Sequence, residues 1–336
     1  MSMISRLVRG AGALVAPGGA RARLSILIYH RVLAAPDPLL PDIIDAATFD
    51  AHMRALSEAF NVLPLAEAAE RLYAGTLPPR AACITFDDGY RDNAEIACPI
   101  LLKHRLSATF FVATGYLDGG RMFNDTVIES IRALNESELV LPNGTRLPIH
   151  DLAARRRAIS PALRAVKYLP MQERLAWAQA LAARVGTAMP NDLMMSSDQV
   201  RGLARDGMEI GGHTVAHPIL AKLSTHEARR EIESNRAALA SLIGQPVTTF
   251  AYPNGVPHED YHAEHVAMVE AAGYRTAVST AWGVATQEAD RLQLPRFTPW
   301  DRHPARFLVR LLHNAWTGAQ PEHVARPAAM TAPAIA

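Results

Sequence analysis

Short apolar runs rich in β-branched residues alternate with helix-patterned stretches along most of this chain, and that alternation restricts it to a parallel sheet or barrel. The runs fall at residues 24–30, 83–86, 108–113, 208–212, 248–252, 274–279 and 292–297. Helical patterns lie between them, at about 48–60, 65–74, 92–104, 260–272 and 303–316. Ser196 with Gln199 and Ser224 with Glu227 read as capping boxes that open two more helices. The count predicts an α/β fold, a distorted (β/α) barrel with fewer than eight strands. Residues 122–195 break the rhythm with an Asn143-Gly144 hairpin turn and an Ala-, Arg- and Leu-rich helical stretch. They read as a mainly helical insertion over the rim. Its Arg155, Arg156, Arg157 and Arg164 fit a solvated helix face better than a site for an anionic group.

The chemistry concentrates in two stretches. Cys83-Ile84-Thr85-Phe86-Asp87-Asp88-Gly89-Tyr90 climbs an apolar strand into two carboxylates and breaks at glycine. In α/β folds the carboxyl ends of the strands are where sites are built. Successive side chains on a strand point to opposite faces, so one aspartate can hold a metal while the other stays free as a base. An Asp-Gly pair also serves as an ordinary surface turn, and this stretch alone admits both readings. The second stretch, Met208 to Pro218, runs into Gly211-Gly212 and then carries His213 and His217. Two imidazoles and one carboxylate suit zinc or a similar divalent ion and leave coordination positions open.

The T-F-D-D-G run followed by H-T-x-x-H resembles the polysaccharide deacetylases that share the NodB homology domain (carbohydrate esterase family 4), over roughly residues 24–300. Phe250-Ala251-Tyr252-Pro253-Asn254-Gly255 stands where that family has its third motif. The resemblance implies Asp88, His213 and His217 as metal ligands and Asp87 as general base. It implies zinc as the metal, with cobalt, nickel or manganese as substitutes. Asn254, through its backbone amide, and Tyr252 take the oxyanion or substrate-binding place. For the acid that protonates the leaving amine there are two candidates. His30, in Tyr29-His30-Arg31, matches the branch that includes the poly-N-acetylglucosamine deacetylases. His313, in Leu311-Leu312-His313, mimics the motif of other branches but falls in a helical run. Ala251 occupies the position where many members carry an arginine that tethers the catalytic aspartate. Arg296 is then the candidate to orient Asp87. Trp282 and Trp300 follow expected strands and are candidates to stack on sugar faces.

The implied activity is metal-dependent removal of N-acetyl groups from an amino sugar of a bacterial surface polysaccharide or its lipid-linked precursor. An amidase or deformylase acting on a small C–N substrate would use the same metal site. A non-catalytic glycan-binding module would keep the fold alone. His258-Glu259-Asp260-Tyr261-His262 also matches the zinc-protease pattern H-E-x-x-H, with Glu288 as third ligand, but it follows Pro257 and opens a helix.

With a net charge of +1 and 20% charged residues, nothing in the overall balance points to nucleic acid or a strongly acidic polymer as partner. Cys83 and Cys98 read as small core residues and not as a disulfide framework. No run approaches the ~18 apolar residues of a spanning helix. Residues 1–23 are expected to be a poorly ordered or membrane-surface basic segment, 24–316 the catalytic domain, and 317–336 a disordered Ala/Pro-rich tail. The short apolar run Ala11–Ala16 makes a poor signal peptide. A cytoplasmic location, or one peripheral to the inner membrane, is therefore expected over a periplasmic one.

Overall fold

The computed structural model describes residues 3–318 and 322–325. Seven parallel strands follow one another around a barrel: β1 (Leu24–Tyr29), β2 (Ala81–Phe86), β3 (Thr109–Val112), β4 (Glu209–Gly212), β5 (Thr249–Ala251), β6 (Thr276–Trp282) and β7 (Leu294–Arg296). A two-residue strand, Asn61–Val62, pairs with β2 beside the barrel. Every residue of β1 and β2 is buried, as expected of strands covered on both faces. The barrel nearly closes. Phe297, just past β7, donates its N–H to the Ile26 carbonyl (2.7 Å) and accepts from Ile28 N–H (3.0 Å). The result is the distorted barrel of fewer than eight strands that the alternation predicts.

The outer layer is built from α1 (Met3–Val15), α2 (Ala46–Ala59), α3 (Leu65–Tyr73), α4 (Cys98–Lys103), α8 (Ser197–Arg205), α9 (Thr225–Ile243), α10 (Ala263–Ala271) and α11 (Pro304–Thr317). The predicted helix after the Asp-Asp turn opens with a π-helical turn, Asn93–Ala97, before it becomes α4. Both capping boxes form, at Ser196/Gln199 and Ser224/Glu227. α5 (Phe123–Ala133), a hairpin with Gly144 at its turn (φ 81°), α6 (Leu152–Lys167) and α7 (Met171–Ala183) build a satellite on the strand-end side. Val127, Ile131, Leu139, Ile149, Ala162 and Leu181 give it an apolar core of its own.

At the amino-terminal end, residues 3–15 form α1, which packs on α2 and α11. Part of the tail is pinned too, because Gln293 pairs both its amide atoms with the backbone of Val324 (2.9 and 2.8 Å). The rest of the expected tail, residues 319–321 and 326–336, lies outside the described residues. Cys83 and Cys98 are buried free thiols. None of the described helices is long and apolar enough to cross a membrane.

Candidate active site

The turns after β2, β4 and β5 bring the site together. Asp88, His213 and His217 each offer a ligand atom within 4.8 Å of the others. Both His Nε2 atoms approach the same oxygen, Asp88 Oδ1, at 3.4 Å for His213 and 3.3 Å for His217. His213 donates from Nδ1 to the Ala251 carbonyl (2.7 Å), which fixes the tautomer and leaves the Nε2 lone pair facing the shared centre. Asp88 Oδ1 is buried with no hydrogen-bond partner among the described residues. A buried, unsatisfied carboxylate oxygen between two imidazoles fits a divalent cation, which would relieve the desolvation cost.

Burial alone would raise Asp88, but His217, His213 and His30 around it outweigh that and hold it well below the usual carboxylate range. Burial pulls His217 down to about 4, so it stands as a neutral ligand. Burial also works against the ionised form of Asp87, and the Arg296 guanidinium, with His213, more than compensates.

Asp87 and Asp88 diverge as neighbours on a strand end must. Asp87 turns to Arg296, which forks onto it through Nη1–Oδ1 and Nη2–Oδ2, both 2.7 Å. Arg296 is fully buried and is itself held by the Ser279 carbonyl (2.8 Å to Nε). The guanidinium therefore reaches Asp87 from β7 although Ala251 of β5 carries none.

The remaining candidates divide. His30 directly follows β1, is solvent-exposed, and lines one cleft with Asp88. Asn254 sits at φ 59°, and its N–H makes no hydrogen bond among the described residues. Trp282 and Trp300 stack on each other (4.9 Å between rings), 40% and 56% exposed, beside the Thr298–Pro299 wall of the cleft.

Tyr252 is corrected: its ring stacks on Tyr261 in the core (4.0 Å), its OH bonds the Leu292 carbonyl and its N–H the Val278 carbonyl. It faces away from the strand ends and has no donor to spare. His313 is corrected as well. It lies late on α11, two residues before Ala315, whose carbonyl is bonded by Arg23 just ahead of β1. That is the end where the strands begin, opposite the two aspartates. The H-E-x-x-H match also dissolves, since His258, Glu259, His262 and Glu288 are exposed and form no ligand cluster among the described residues. Arg155 is spent on the carbonyls of Ile131 and Leu134 at the end of α5.

Several supports carry no motif signal. Asn235, fully buried on α9, accepts from His213 N–H (3.1 Å) and donates to the Val112 carbonyl (2.9 Å). Glu231, one turn earlier, accepts from the N–H groups of Val215 and Ala216, both 2.8 Å. Gly212 must be glycine: a Cβ there would stand 2.1 Å from Tyr274 Oη. Asp88, Thr214, His217 and Asn254 all adopt positive φ (51–78°), a conformation that costs non-glycine residues about 1–3 kcal/mol each. Such strain gathers where a surrounding structure holds a functional geometry in place.

Barrel, strand-end carboxylates and paired histidines define a NodB-like fold. The polysaccharide deacetylase family profile matches residues 74–277, and the chain belongs to that family. Its activity class is therefore carbohydrate deacetylation. YxkH of Bacillus subtilis (strain 168), which carries the same family name, is 22% identical over 277 residues, 82% of this chain and 71% of its own. Among solved structures, the Streptococcus pyogenes deacetylase PplD in complex with acetate superposes with a TM-score of 0.59. It is 19% identical, over 87% of this chain and 99% of that one. IcaB from Ammonifex degensii gives 0.54 at 17% identity, over 89% and 98%.

Proposed function

We propose that the chain is a metal-dependent hydrolase that removes N-acetyl groups from an amino sugar of a bacterial surface polysaccharide or its precursor, releasing acetate. The observation that carries this is the convergence of Asp88, His213 and His217 on one unsatisfied buried oxygen, beside an aspartate held separately by an arginine. A divalent ion held by these three side chains would polarise the acetamide carbonyl and acidify the attacking water. Asp87, kept ionised by Arg296, accepts that water's proton. The Asn254 N–H, without a partner among the described residues and near the strand ends, donates to the oxyanion. His30, at the mouth of the cleft, protonates the departing amine. Trp282 and Trp300 offer an exposed aromatic surface for the next sugar rings.

The test is acetate release from chitin, poly-β-1,6-linked N-acetylglucosamine and peptidoglycan oligomers. Release is expected from at least one, abolished by a chelator and restored by zinc or cobalt. Chelator-resistant release would refute metal dependence, and no release from any of them would refute the substrate class.

A further inference from the structure

The cleft in front of Asp88 has one wall that the mechanism above leaves unused. Its volume is about 320 Å³, and the insertion supplies Asn124, Asp125, Ile128 and Glu129 to it from the first turns of α5. Asp125 is the unusual member. It is only 4% exposed, yet it makes no ion pair among the described residues. Among the described residues one donor serves it: the Tyr90 hydroxyl, which lies 3.1 and 3.2 Å from its two oxygens. A carboxylate has about four acceptor positions, so most of this one's capacity is unfilled on a surface that lines the cleft. The nearby cation does not fill it. Arg31 is bound to Asp92 (2.8 Å) and lies over the Tyr90 ring (4.8 Å).

Buried carboxylates without a cation or a full set of donors are costly, and a fold that needed only packing here would place an apolar residue. Burial raises Asp125 to about 7, Arg31 works the other way, and Asp88 adds to the rise. This is the signature of a carboxyl short of donors. The ligand that completes it must donate hydrogen bonds. Glu129 is tied to Arg132 (2.9 Å), which leaves Asp125 as the buried acceptor of this wall.

We propose that Asp125 is a specificity-determining residue that accepts hydrogen bonds from the hydroxyl groups of the amino-sugar ring whose acetamide lies against Asp88. The inference rests on the deacetylase reading for the placement of that ring. It gives the insertion a task, since α5 carries into the cleft an acceptor that the barrel itself does not supply. Tyr90, two residues past Asp88, ties this wall to the catalytic turn and positions the carboxylate.

The experiment compares wild type with Asp125→Asn, which still accepts from Tyr90 through Oδ1 and preserves shape. Two substrates are used with the zinc-loaded protein: an N-acetylglucosamine oligomer, and a small aryl acetate with no sugar hydroxyls. The ratio of oligomer to aryl-acetate kcat/KM is expected to fall at least tenfold, mainly through KM, with unchanged metal content and melting temperature. An unchanged ratio overturns the proposal, as does a loss that falls equally on both substrates. Calorimetric binding of the oligomer separates this inference from the function it rests on. If wild type binds oligomer without releasing acetate, the deacetylase reading fails, and a tenfold weaker Kd in Asp125→Asn still supports the contact. If wild type neither binds nor hydrolyses any N-acetylated oligomer, both fall.

Discussion

Replacing Arg296 with methionine removes the guanidinium bonded to Asp87 while keeping an unbranched side chain of similar length. The pair is bidentate at 2.7 Å, Arg296 is fully buried and Asp87 nearly so. Breaking such a pair from one side leaves an uncompensated buried charge and costs about 3–5 kcal/mol. The melting temperature should drop by roughly 5–10 °C on that scale. Burial, now unopposed by the guanidinium, should raise the Asp87 carboxyl. The acid limb of the pH–rate profile then moves to higher pH in Arg296→Met, and turnover at neutral pH falls. Asp87→Asn with Arg296→Met removes both charges, so the double variant should recover much of the stability while remaining inactive. The assay is a double-mutant cycle of thermal melts, with acetate release followed across pH. Strictly additive stabilities, or an acid limb that stays in place in Arg296→Met, would refute the role of Arg296 as the group that keeps Asp87 ionised.

Two further outcomes are expected. Asn235→Ala strips the acceptor from the His213 N–H and a donor from the Val112 carbonyl in a buried site. It should cost about 2–4 kcal/mol and weaken zinc binding about 10–100-fold, measured by melting and by zinc titration; unchanged zinc affinity would show that α9 does not orient His213. His52, buried between α2 and α11 and stacked on Phe307 (4.3 Å), is pulled by burial down to about 4. A histidine depressed in the folded state stabilises fully above its unfolded value near 6.5, and that contribution is lost as pH falls toward and through 4. His52→Phe should therefore flatten the pH dependence of stability between about 6.5 and 4 by up to about 3 kcal/mol. An unchanged slope would place the titration elsewhere.

The barrel was legible because its strands are short uninterrupted apolar runs and most intervening stretches are helix-patterned, a signal that survives without tertiary information. Asp87, Asp88, His213 and His217 were legible because each pair is local in sequence and follows a strand. Tyr252 and His313 misled for the complementary reason. A motif fixes a position along the chain but not the direction of a side chain, and Tyr252 turns into the core while α11 carries His313 down the barrel. Asn235, Glu231 and Asp125 had no local mark at all. Asn235 looks like any polar residue of a long helix, and only packing shows that its amide spans β3 and the His213 turn.

The exchange at Ala251 shows why such residues escape a linear reading. What Asp87 needs is a buried guanidinium at fork distance, and the barrel places the ends of several strands within reach of it. β7 can supply through Arg296 what β5 lacks, because the strand ends converge on the same pocket. The partner's position in sequence is therefore free, while its charge, burial and geometry are not. The same logic holds for the cleft wall: α5 arrives from an insertion with its own apolar core, yet the carboxylate it delivers is buried beside the Asp87-Asp88 turn and bonded by Tyr90. Chemistry at the strand ends is specified by what a group meets there, and the chain has more than one route to bring it.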